Sequence, residues 1–75
     1  MQKGGKMPKI TLAAARKSAG YTQEELANKL GVSRVLITNL ESGKAELKPF
    51  YLYAICKVTG FSEDDILLPE TSTKR

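Results

Sequence analysis

The stretch from Gln23 to Ser42 leaves this chain few ways to fold. Thr22-Gln23-Glu24-Glu25 opens it as a capping box, with Thr22 at the N-cap and Glu25 three residues on. Leu26, Ala27 and Leu30 then make an apolar stripe at helical spacing, and Gly31 breaks it. Ser33 is positioned to cap a further helix, Ile37 and Leu40 point to one face, and Gly43 closes it. Only Gly31-Val32-Ser33 separates the two helices, so they must cross steeply. A steep crossing needs a small residue midway along the first helix, and Ala27 is there. Its turn needs a residue that accepts positive φ, which Gly31 supplies. Leu26, Leu30, Val32, Ile37 and Leu40 provide the apolar contacts across the angle.

Helical signals also surround this pair. A first helix is predicted from about Thr11 to Ala19, capped by Thr11, with Leu12, Ala15 and Ala19 on one face and Gly20 after its end. A fourth starts near Pro49 and runs to about Thr59, with Gly60 behind it; Phe50, Leu52, Tyr53, Ile55, Cys56 and Val58 make it apolar around most of its circumference. A short fifth helix opens at Ser62, with Asp65 completing a second capping arrangement, Ile66 and Leu67 anchoring it and Pro69 ending it. No strand pattern is present. The expected fold is therefore all-α, five helices with the steep pair as the second and third. The predicted domain spans 9–69, between a disordered basic arm (1–8) and a disordered tail (70–75).

Length and charge narrow the function classes. Seventy-five residues make one small domain with little room for a deep catalytic pocket beside its core. The net charge of +4 is unevenly spread. Residues 1–17 hold Lys3, Lys6, Lys9, Arg16 and Lys17 and no acid, whereas 60–69 hold Glu63, Asp64 and Asp65 and no base. A basic face fits a partner rich in phosphate, although a solvated mixed surface gives the same tally. Histidine is absent, which removes the commonest general base and zinc ligand, and no phosphate loop or metal cluster is present. No enzyme activity, cofactor, metal or small-molecule ligand is expected. The lone Cys56 lies in an apolar run and reads as a small buried hydrophobe, and with no apolar run long enough for a bilayer, a cytoplasmic location without membrane association is expected.

The run from Gln23 through Lys44, QEELANKLGVSRVLITNLESGK, resembles the repressor/Cro/XRE family of helix-turn-helix regulators. The resemblance covers roughly residues 10–69, and the tail from Tyr51 to Pro69 is similar to very short regulators of Gram-positive phages and mobile elements. It implies a repressor-like fold whose third helix enters the major groove of double-stranded DNA. It also implies roles for residues. Thr22 and Lys44 occupy backbone-contacting positions, and Gln23 a position that meets a phosphate and sometimes a base edge. Ser33, Arg34, Val35 and Asn39 occupy groove-facing positions, with Thr38 beside them. Arg16 matches the position that pairs with Glu41, an acid near the unfavourable end of the third helix's dipole.

The side chains can be read separately. Arg34 can donate twice to guanine O6 and N7, against a reading as a solvated charge. Asn39 can pair with adenine or lie just beyond reach. The expected exposed pair Val35-Leu36 can touch thymine methyls or pack on a partner. Glu46 falls where many relatives carry bases, with Lys48 close by to compensate. The resulting expectation is a sequence-specific transcription regulator, in the repressor sense, binding a palindromic operator as a weak homodimer through Phe61 and Leu68, with one of Tyr51 or Tyr53 also exposed. The rival is an antitoxin or antirepressor-type interaction module with the same fold.

Overall fold

The computed structural model describes residues 9–68. Four α-helices follow one another: α1 (Leu12–Ser18), α2 (Gln23–Leu30), α3 (Arg34–Ser42) and α4 (Pro49–Thr59). The sequence predicts a fifth helix after Ser62; the chain instead makes one 3-10 turn, Glu63–Asp65. The predicted cap is nevertheless present, because the Asp65 carboxylate accepts from both the Ser62 amide and the Ser62 hydroxyl at 3.1 Å. A full helix does not follow because Ile66 turns extended (φ −96°, ψ 127°) and pairs with Ile10 as a parallel bridge. Ile10 donates to the Asp65 carbonyl at 2.9 Å, and Leu67 to the Ile10 carbonyl at 2.7 Å. The expected helix end at Pro69 and the segments 1–8 and 70–75 lie outside the described residues.

Local chemistry sets the helix ends. Thr11 Oγ1 accepts from the Ala14 amide at 3.0 Å. Thr22 Oγ1 accepts from the Glu25 amide at 3.0 Å, and the Glu25 carboxylate accepts from the Thr22 amide at 2.9 Å, so the capping box is complete. Ser33 Oγ accepts from the Leu36 amide at 3.1 Å and starts α3. At the end of α2, Gly31 lies at φ +73°. This lets Val32 donate to the Ala27 carbonyl at 3.0 Å and Gly31 to the Asn28 carbonyl at 3.3 Å, a Schellman closure that redirects the chain into α3.

The four helices enclose a core of Leu12, Ala15, Leu26, Ala27, Ile37, Leu40, Ile55, Cys56 and Ile66. Ala27 is 2% exposed, as the close approach of α2 and α3 requires. Packing also corrects three sequence-based expectations. Leu36 is half-buried against the core, so Val35 alone is exposed where an apolar pair was expected. Phe61, expected at the surface, is half-buried too; Gly60 at φ +88° turns the chain so that the next ring packs against the core. Leu67, expected to anchor the last segment with Ile66, is exposed, because the extended backbone at Ile66 sends alternate side chains to opposite sides and only Ile66 faces the core. Phe50 and Tyr53 of α4 and Leu68 are exposed too, while Tyr51 is half-buried. Burial, followed by the charges of Glu63 and Asp65, pushes the Cys56 thiol above its ordinary value.

Candidate nucleic-acid interface

Two helix starts frame the candidate surface. Capping at Thr22 satisfies the third amide of α2, leaving the Gln23 and Glu24 amides as the ones a helix start directs outward without intrahelical partners. They belong to an open notch of about 640 Å³ lined by Arg16, Lys17, Gly20, Tyr21, Thr22, Gln23, Glu24 and Arg34. Two exposed cations, Lys17 and Arg34, therefore share a notch with the positive end of the α2 dipole, a combination suited to an anion such as phosphate. Arg34 and Val35 are exposed in the first turn of α3, Val35 at 61%. Both project from the end of a helix whose cap keeps that turn formed.

Behind this surface runs a polar network connecting three helices. Arg16, only 7% exposed, donates Nε to Glu41 Oε2 at 2.7 Å and Nη2 to Glu41 Oε1 at 3.3 Å. Its Nη1 donates to the Tyr21 carbonyl at 2.9 Å. Glu41 Oε1 also accepts from Gln23 Nε2 at 3.0 Å, and Gln23 Oε1 accepts from the Thr38 hydroxyl at 3.0 Å. A carboxylate near the C-terminal end of α3, where the helix dipole opposes it, thus gains a guanidinium from α1 and an amide from α2.

The structure groups the residues singled out from sequence unequally. Thr22, Gln23 and Arg34 line one notch, and Thr38 bonds Gln23. Ser33 caps α3, while Arg34 and Val35 lie exposed beside it. Asn39 is half-buried, with its carbonyl accepting from the Ala45 amide at 3.1 Å. Lys44 is exposed beyond Gly43, apart from the notch, at the other end of α3. Glu46 and Lys48 follow it as an exposed pair, N to O 3.7 Å, so the acid's charge is partly offset locally. Lys17 is a cation of the notch that the sequence reading counted in the charge tally but gave no site role; the available signal was a base two residues before the Ala19–Gly20 end of α1.

No helix among the described residues is long and apolar enough to cross a membrane. A family model described as Helix-turn-helix matches residues 12–66. That span runs from the first residue of α1 to the residue that pairs with Ile10. Neither a curated protein nor a solved structure matches the chain. With most of its length covered by that model, the chain belongs to the helix-turn-helix family, of the XRE type, a family of DNA-binding domains.

Proposed function

We propose that the protein is a sequence-specific regulator of transcription, a repressor, that reads the major groove of double-stranded DNA with α3. The observation that carries this reading is the placement of exposed Arg34 and Val35 in the first turn of α3, with Arg34 also lining the cationic notch at the start of α2. In such a docking the notch holds a backbone phosphate, Thr22 and the α2 amides fix the register, and Arg34 and Val35 meet base edges. Ser33 and Asn39 flank those two, and Lys44 neutralises a phosphate at the far end of α3. Exposed Leu68 and half-buried Phe61, in the segment after α4, support a weak two-fold dimer, whose half-sites on a palindromic operator would lie about 34–36 Å apart. This function requires no catalysis, cofactor or small-molecule ligand, and it is exercised in the cytoplasm, where the operator lies.

The exposed rings of Phe50 and Tyr53 favour a second reading, an antitoxin or antirepressor-type module that grips a protein partner. Selection of bound duplexes from a random pool, followed by titration at several salt concentrations, separates the two. A regulator enriches one motif and loses affinity linearly in log salt, with a slope of roughly −0.9 per phosphate contact. Absence of salt-dependent affinity for any duplex removes the DNA reading and leaves the partner-binding one.

A further inference from the structure

We infer that Thr38 is a positioning residue for DNA recognition, acting through the Gln23 amide rather than through a base or phosphate of its own; this rests on the DNA-binding reading above. The geometry is specific. Gln23 lies on α2 and lines the notch, whereas Thr38 and Glu41 lie on α3. The Glu41 carboxylate can only accept, so the Gln23 nitrogen must face it, at 3.0 Å. That orientation turns Gln23 Oε1 toward the Thr38 hydroxyl, which donates to it at 3.0 Å. Gripped at both atoms, the amide keeps one N–H for an anion in the notch. Without Thr38 it pivots about the Glu41 bond, and a side chain with several rotatable bonds regains freedom that DNA binding must then remove.

A second hydrogen bond makes the inference testable without ambiguity. The Thr38 hydroxyl also lies 3.1 Å from the Arg34 carbonyl, one turn back on α3. Its single proton serves one acceptor or is shared between the two. Removing Gln23 therefore leaves the hydroxyl a partner and creates no orphan donor. A cycle of the two residues then reports their coupling with little else mixed in.

The test is a double-mutant cycle in affinity for the selected duplex, using Gln23→Ala, Thr38→Val and both together. Thr38→Val should weaken binding by about three- to tenfold, the range of one ordinary hydrogen bond. Thr38→Ser should restore it, and Thr38→Val should have no further effect once Gln23 is alanine. Thr38→Ala, which removes the hydroxyl without putting a methyl in its place, should show the same non-additivity if Thr38→Val loses its helical circular dichroism. If either hydroxyl-less variant weakens binding equally with and without Gln23, or not at all, Thr38 does not act through Gln23 and the inference is overturned while the DNA reading stands. If the wild-type protein binds no duplex, both are overturned.

Discussion

Replacing Arg16 by alanine should cost far more than losing a surface ion pair. Both side chains of the Arg16–Glu41 pair are 9% exposed, so water cannot take over from the missing partner. The loss removes both guanidinium bonds to Glu41 and the donor to the Tyr21 carbonyl, leaving Glu41 with the Gln23 amide alone. A carboxylate stranded in this way, at the unfavourable end of α3, should cost on the order of 2–4 kcal/mol. A domain of this size has roughly 0.05–0.15 kcal/mol of stability per residue, so the loss is a large share of the total. At about 4–8 °C per kcal/mol, the melting temperature should drop by roughly 8–32 °C. The joint replacement Arg16→Met with Glu41→Leu leaves no stranded charge, so it should be more stable than either single replacement. Urea unfolding of wild type, both singles and the double measures all four corners, with unchanged slopes as the check on two-state behaviour. The reasoning fails if Arg16→Ala costs less than about 1 kcal/mol, the surface-pair range. It fails equally if the double replacement costs the sum of the singles.

Three further outcomes can be measured directly. On the proposed reading, Arg34→Ala should weaken specific binding by roughly 1–3 kcal/mol and relax preference at one base pair, whereas Lys44→Ala should weaken all duplexes alike and reduce the salt slope by about one ion; equal loss on specific and scrambled duplexes makes Arg34 a phosphate contact only. The Cys56 thiol is raised by burial and then by Glu63 and Asp65, so its contribution to stability is complete below the ordinary value of 9.0 and is lost as pH rises through the folded value. Wild type should therefore lose more stability than Cys56→Ala above about pH 9 and match its pH trend below it, which parallel thermal melts across pH can show. Sedimentation at rising concentration should detect a weak dimer that Leu68→Lys abolishes without lowering the monomer's melting temperature, since Leu68 is 55% exposed; a wild type that stays monomeric, free and on a palindromic duplex, contradicts the proposed dimer.

What could be read from sequence were the features written within a few residues. Thr22 and Glu25, Ser33 and Leu36, and Gly31 with Ala27 are neighbours along the chain, so their signals survive without any knowledge of the fold. Ile10 and Ile66 lie at opposite ends of the domain, and one pair of residues leaves no alternation to detect, so the bridge was not legible. Helix α4 shows the same limit differently. Its sequence is apolar nearly all round, and only packing decides that Ile55 and Cys56 are buried while Phe50 and Tyr53 face outward. Within the candidate site, the capped starts of α2 and α3 were legible, but the bonds linking Gln23 to Thr38 and Glu41 join side chains 15 and 18 positions apart. Residue types at that distance specify no register; the fixed crossing of α2 and α3 does.

The Ile10–Ile66 seam brings the first and last described segments side by side. A chain arranged like this can be re-threaded, with a short glycine-serine linker joining the region of Lys9 to that of Leu68 and new ends opened at exposed Glu46. The permuted order would run α4, the 3-10 turn, linker, α1, α2, α3. The packing of the helices would be kept; the Ile10–Ile66 bridge and the contacts of α1 with α4, now among the most distant in sequence, would become nearer ones, and those of α2 with α4 more distant ones. The sequence separation of contacting residues affects folding rate far more than equilibrium stability. The permuted protein should therefore refold at a different rate from the natural order while melting at a similar temperature, because the seam lets the chain be joined there and leaves the helices' mutual packing unchanged.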